Sequence, residues 1–434
     1  MMRYHQLADG AFADLAAGLG GRAAILELDA SRLSRHLLLL RFVSDCWVGR
    51  LQDLHVAIEV LDRAQRQAPD AFGRLLSDPM VGAWLGHITR RLRDASDGAE
   101  SLAPDLLHLG AVAASAALSC GVEGRVTAYA RNGRIALPAL GAIVLSANVN
   151  APVAIIVSDS GVTVSGPMGE MAVMAREGGD RWSALRELSG CCDGRGIAVR
   201  LDDGDPYRDR YHAPAADRLS PGDFRRWQAL FAQAWELLGR HLPDRAAELA
   251  TGLRVLVPLI DQGDGAARSA TANDSVAALG LTRPASPPDL AITMVHEFQH
   301  SKMTAVEHLV RLYEPGGTER HFAPWRSDSR PTAGLIQGVY AFLGVADVWR
   351  ALRAAPGLAE VATTQFATAR EQVRVGLEAL ESSGELTSDG RSLTAGMRAT
   401  VDRLLAEPVP DAAVAGARAA LKQRRAVWEK NLGS

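Results

Sequence analysis

Hydrophobic and polar positions along this chain keep a helical period at both ends and a strand period in the middle. Over residues 1–124, apolar residues recur every three or four positions. Leu33 to Val48 reads as a strongly apolar helix containing Leu37-Leu38-Leu39-Leu40, and Leu51 to Ala68 continues in the same period. Ala111 to Leu118 reads as an alanine-rich buried helix. From Arg125 to Val173 the pattern alternates and gains β-branched residues: Arg125–Ala130, Ile135–Leu137, Ala142–Leu145, Val153–Val157 and Val162–Val164 stand between glycine and asparagine turns. Gly196 to Leu201 is a candidate last strand before Asp203–Arg208. Helical period returns at Pro221, broken by strand candidates at Leu253–Leu259 and Ser275–Leu281. Beyond Pro331 the chain reads mostly as helix, ending in an alanine-rich segment, Ala412 to Lys430, with the pattern of a packed helix.

The strongest local signal lies between these strands and the C-terminal helices. Ser286 is placed as an N-cap, with Pro287 at the first helical position and Asp289 three residues after the cap. Leu290, Ile292, Met294, Val295, Phe298, Met303, Val306, Leu309 and Val310 then mark an apolar face, and Pro315-Gly316-Gly317 is the predicted stop. Inside this helix stands His296-Glu297-Phe298-Gln299-His300. Residues four apart share a helix face, so both imidazoles can reach one metal ion, with Glu297 projecting from a neighbouring angle. A strand feeding a buried HExxH helix is the arrangement of zincin-type metal sites. Burying two histidines and a glutamate without partners would be costly, so a metal or a polar network is required.

The whole chain is therefore expected to be α+β, mainly helical, with a central β-rich segment and a zincin-like HExxH metal helix. Its expected divisions are an N-terminal helical region at 1–124, a β-rich region at 125–215, a metal-binding core at 216–355 and a C-terminal helical region at 356–434.

Composition narrows the function. The 434 residues are 47% hydrophobic, enough for a large core. Lys+Arg number 47 against 50 Asp+Glu, and this near-balance gives no electrostatic footprint for nucleic acid or an anionic membrane. Cys46, Cys120, Cys191 and Cys192 have no paired CxxC spacing, so neither a zinc ribbon nor a disulfide framework is indicated. Without a signal-like N-terminus or an uninterrupted apolar span, a cytoplasmic protein without membrane or nucleic-acid partners is expected.

A catalytic metal needs a third protein ligand and open positions. Glu307 and His308 lie about 10 Å or more beyond His300 along a continuous helix, too far to share its ion. The next polar segment is Ala323-Pro-Trp-Arg-Ser-Asp-Ser-Arg-Pro331, a loop between prolines. Asp328 could complete a two-histidine, one-carboxylate set, which suits non-haem Fe(II), and Arg326 or Arg330 could hold a dicarboxylate with a bidentate fork.

His296–Met303, Ala323–Pro331 and Gly334-Leu-Ile-Gln-Gly-Val-Tyr-Ala-Phe342 together resemble the HExxH-motif peptide-modification proteins of ribosomal peptide clusters, including the FxsB-associated type. Ser31–Leu40, Asp205–Arg208 and Ser269–Thr271 extend the resemblance. It implies an Fe(II)/2-oxoglutarate-dependent dioxygenase that uses O2 to hydroxylate a side-chain Cβ of a ribosomal precursor peptide, with a radical SAM maturase as a further partner. His296, His300 and a third residue would hold iron, Arg326 or Arg330 would bind 2-oxoglutarate, and Glu297 would orient ligand or substrate. Trp325, Gln337 and Tyr340 are candidate substrate contacts, while on the helix after Gly334 Tyr340 and Trp349 are more often core than catalytic. Many relatives carry a histidine where this helix holds Gln337 or Phe342, so the third ligand stays open among Asp328, Gln337, His308 and His321. Spacing alone favours zinc. The rival is a gluzincin-type peptidase with Glu297 as general base, against which Gly334–Arg350 offers only Asp347 as an acidic residue. A metal-stabilised module that binds and delivers a peptide without catalysis is the second alternative.

Overall fold

The computed structural model describes residues 5–47, 52–94, 99–145, 148–173, 181–209, 211 and 213–432. Val48 and Leu51, expected at helix ends, lie outside the described residues. The chain is mixed helix and sheet, as an α+β reading requires.

Among the described residues, seven helices come first: α1 (Asp9–Ala16), α2 (Gly21–Trp47), α3 (Gln52–Gln67), α4 (Pro69–Leu76), α5 (Pro79–Arg93), α6 (Ala99–Leu106) and α7 (His108–Cys120). On α3, Leu54, Ala57, Leu61 and Ala64 are buried at three- and four-residue spacing, the amphipathic stripe that holds a surface helix to a core. Asp78 starts α5 by accepting the Met80 amide ahead of Pro79, and left-handed Gly121 ends α7.

Among the described residues, nine strands follow: β1 (Gly124–Ala130), β2 (Arg134–Leu137), β3 (Gly141–Val144), β4 (Ala151–Ser158), β5 (Gly161–Gly166), β6 (Gly169–Val173), β7 (Trp182–Ala184), β8 (Arg186–Cys192) and β9 (Arg195–Leu201). The antiparallel sheet β1-β4-β5-β6 buries alternate residues, such as Val126, Ala128 and Ala130, against α7. A side chain at Gly110 would collide with the Thr127 carbonyl, so glycine lets α7 lie directly on β1. Strands β2, β3 and β7 form a second sheet.

The remaining elements are α8 (Pro221–His241), α9 (Pro243–Gly252), β10 (Val255–Pro258), β11 (Ser269–Ala270), β12 (Ala278–Leu281), α10 (Pro287–Glu307), α11 (Thr332–Leu352), α12 (Ala359–Glu381), α13 (Ser388–Ala406) and α14 (Asp411–Leu432). The hairpin β8–β9 leaves its β-rich neighbours and completes a sheet in the order β11-β12-β10-β9-β8. Its inner strands β9, β10 and β12 are parallel, while β8 and β11 are antiparallel edges. Every residue of β10 and β12 is buried, which explains their continuous apolar runs. Helices α8 to α13 share one hydrophobic core with this sheet, whereas α3 to α7 share another with β1 to β6.

The start of α10 follows the sequence signal, with Ser286 accepting the Asp289 amide and Pro287 in the first turn. Its end does not. The helix stops at Glu307, with His308 as C-cap, well before Pro315-Gly316-Gly317. The chain then turns to pair with the segment before α13, where the Thr387 amide donates to the Leu312 carbonyl and that of Glu314 to the Glu385 carbonyl. That long-range pairing outweighs the helical period of Leu309 and Val310. The tail helix α14 buries only a narrow stripe, including Ala417 and Leu421.

Among the described residues, two stretches, Ser101–Cys120 and Thr332–Leu352, are long and apolar enough to cross a membrane, but 78% and 67% of their most apolar 18-residue windows is buried inside the fold. Their composition is that of core helices.

Candidate metal centre

Helix α10 is surrounded by protein, so its polar side chains must find partners on each face. His296 and His300 share the face toward α11, their ring centroids 4.8 Å apart and their planes at 83°. Helix α11 runs antiparallel across them. Phe342 and His296 meet in a T-shaped ring contact, and Gln337 Oε1 lies 3.1 Å from His300 Nδ1. The His296 side chain keeps 22% of its surface exposed, so the face is sheltered yet open. Burial, with His300 adding to it, pushes the His296 imidazole down to about 3. Burial also lowers His300, opposed by the Gln337 hydrogen bond and reinforced by the charge of Arg330. Both rings are therefore neutral near pH 7, the form that ligates a metal.

Glu297 turns toward the sheet. Ser269 on edge strand β11 donates to its Oε1 at 2.7 Å, and the same oxygen lies 3.9 Å from His296 Nε2. Burial raises this carboxyl to about 7, against the opposing Ser269 hydrogen bond.

The opposite face of α10 is locked by a buried polar network. Lys302 Nζ donates to Glu248 at 2.8 Å and to the Gly18 carbonyl at 3.3 Å. Gln299 donates to the carbonyls of Gly18 and Tyr340, and Arg245 bridges Gly18, Gln299 and Asp347. Glu248 in turn accepts the amides of Gly20 and Gly21. Burial pushes Lys302 down to about 8; it also raises Glu248, but Lys302 and Arg245 outweigh that and hold the carboxyl below its ordinary value.

The polar loop is built differently from its sequence reading. Trp325 stacks on Phe342, centroids 4.8 Å apart and planes at 16°, in a notch that only glycine at 338 leaves open. Asp328, the expected third ligand, is half exposed and held by Arg326 at 2.7 Å and Arg330 at 3.7 Å. The hydrogen bond from Arg326 lowers its carboxyl. Among the described residues, the only three His, Cys, Asp or Glu ligand atoms gathered within 4.8 Å of one another belong to Glu319, His321 and Glu385. Asp328 is thus not assembled with the histidine pair, because two arginines claim it. His321 joins Thr332 and Glu319 instead, and His308 caps α10. Thr332 donates to Glu385 and meets His321 Nε2, so hydrogen bonds already close that second cluster.

Gln337, weighed as an oxygen ligand and a substrate contact, is committed at both ends of its amide: Oε1 to His300 and Nε2 to Glu307 at 2.6 Å. Tyr340 is fully buried and donates to the Leu15 carbonyl at 2.9 Å, a core role. Three contacts of the site escaped sequence reasoning: Ser269 with Glu297, Glu248 with Lys302 and Glu307 with Gln337. Glu307 left a local signal, seven residues after His300 on the same face, and Ser269 stood in a segment of the resemblance, but nothing local paired either with its partner. Compared with known proteins, the chain matches no family model and no curated protein.

Proposed function

We propose that α10 is a zincin-like metal helix and that the protein is an Fe(II)/2-oxoglutarate-dependent peptide β-hydroxylase. The observation that carries the metal site is His300, whose Nδ1 is engaged by Gln337 while no protein partner engages Nε2 among the described residues. A metal-ligating histidine characteristically gives its other ring N–H to such an acceptor. His296 and His300 would hold the ion, two nitrogens that suit a late first-row divalent metal. Bound there with 2-oxoglutarate, iron would supply O2 chemistry that converts a Cβ–H to Cβ–OH as the keto acid becomes succinate and CO2, one atom of O2 entering the peptide and the other succinate.

The chain's own residues would do the rest. Arg330, close enough for its charge to act on His300, is the anchor for the distal carboxylate of 2-oxoglutarate. Phe342 and Trp325 give the histidine face an apolar wall that excludes water. Glu297, held by Ser269, would orient bound water or substrate. The outer edge of β11 would receive the peptide as an added strand beside Glu297.

A zinc peptidase is the second reading, favoured by Glu297, whose carboxyl near 7 suits a general base. The two separate in one experiment. Anaerobically purified protein given Fe(II), 2-oxoglutarate, O2 and its precursor peptide should form succinate and add one oxygen to the peptide. Zinc-dependent cleavage of the peptide without succinate would replace the hydroxylase by the peptidase.

A further inference from the structure

We infer that Glu307, two turns beyond the histidine pair, sets the tautomer of His300 through Gln337 and is a positioning residue of the metal site. This rests on the proposed metal role of His300.

Residues 300, 304 and 307 stand on one side of α10, and Gln337 reaches across that side from α11. Its Nε2 lies 2.6 Å from Glu307 Oε2 and 3.4 Å from Thr304 Oγ1. Burial raises the Glu307 carboxyl to about 7, against the opposing Gln337 hydrogen bond; above that pH it is ionised and only accepts, so the end of the amide that faces it must be the NH2 group. With both amide hydrogens given to Glu307 and Thr304, only Oε1 remains for His300. An amide oxygen also only accepts, so His300 Nδ1 must carry the ring proton. The lone pair is then confined to Nε2, the nitrogen left for a metal. Reversing the amide would set its oxygen against the carboxylate and its NH2 against Nδ1, and the ring would change tautomer. Glu307 thus acts on His300 across a distance no direct ligand could span. Its Oε1 is buried and has no hydrogen-bond partner among the described residues, which also give Glu307 no salt bridge.

The test uses the metal-free full-length chain at pH 8, where Glu307 is ionised, and Co(II) alone as probe. In the wild type, the nitrogen chemical shifts of His300 should report Nδ1–H, and Co(II) should bind in a 1:1 complex. E307L and Q337L should mix or reverse the tautomer and weaken Co(II) binding by about 10- to 100-fold, the usual effect of losing a ligand's outer partner. Q337E in the E307L background places a carboxylate directly on Nδ1–H and should restore both readouts. The inference is overturned if E307L keeps the wild-type tautomer, or if E307L/Q337E fails to restore it while remaining folded by circular dichroism. Nδ1–H present in a wild type that binds no Co(II) would overturn the metal reading and leave the tautomer relay standing.

Discussion

The rings of Phe342 and His296 meet in a T, centroids 5.3 Å apart and planes at 87°, on the face of α10 that α11 covers. An imidazole at 342 would bring a ring nitrogen to that face. F342H should therefore tighten Co(II) or Fe(II) binding by about tenfold or more, equivalent to at least about 1.4 kcal/mol. It should also lose about 1 kcal/mol of fold stability with the Trp325 stack. Isothermal titration measures the first effect and chemical denaturation the second. Unchanged metal affinity would mean that residue 342 does not border the ion.

His296→Ala and His300→Ala should each abolish stoichiometric metal binding, while Asp328→Asn should leave it intact, because Arg326 and Arg330 already hold that carboxylate. Metal content after anaerobic reconstitution decides this. Metal loss in the Asp328 variant would restore it as a ligand.

Arg330→Ala should raise the 2-oxoglutarate concentration needed for half-maximal succinate formation by at least tenfold, since a charged fork contributes about 1.5–3 kcal/mol to an anion it binds. A flat response would move the cosubstrate carboxylate away from this residue.

Glu297 gives the metal-free protein a pH signature. Its folded carboxyl sits at about 7 against an ordinary 4.5, so between those values the native state binds more protons than the unfolded one. Stability therefore falls as pH rises through this window. The penalty is fully present above pH 7 and absent below about pH 4.5. It amounts to roughly 3 kcal/mol as an upper figure. Urea denaturation should show E297Q gaining on the wild type by up to that amount between pH 5 and pH 8, and parallel profiles would count against a Glu297 carboxyl raised by burial.

Lys302 and Glu248 form a buried pair at 2.8 Å behind the histidines. Lys302→Met strands the Glu248 carboxylate, eased in part by Arg245 at 3.7 Å, and should cost about 3 kcal/mol. The double change K302M/E248Q should recover much of this in denaturant titrations. If the double variant is no better than the single, the pair is not the cause.

Much of the local architecture was legible. Ser286, Pro287 and Asp289 announced the start of α10, four-residue spacing put His296 and His300 on one face, and alternation revealed β1 to β5. The end of α10 was misread because Leu309 and Val310 keep helical period while Leu312 and Glu314 are drawn to Thr387 and Glu385. The β-rich stretch read as one unit because nothing local marks that β9 pairs with β10, which follows two intervening helices.

The sequence by itself therefore determined what depends on near neighbours: helix caps, faces, strand periodicity and the imidazole pair. Tertiary structure decided which groups meet those faces. Gln337 reaches His300 from 37 positions away and Lys302 reaches the Gly18 carbonyl from 284. Asp328, nearer in sequence to His300 than Gln337 is, pairs with arginines instead. Dihedral preferences and side-chain period act over a few residues, whereas a buried donor is satisfied by whichever acceptor packing delivers. Spacing could place two histidines side by side; only the packing of α11 put Gln337 on one of them and Phe342 against the other.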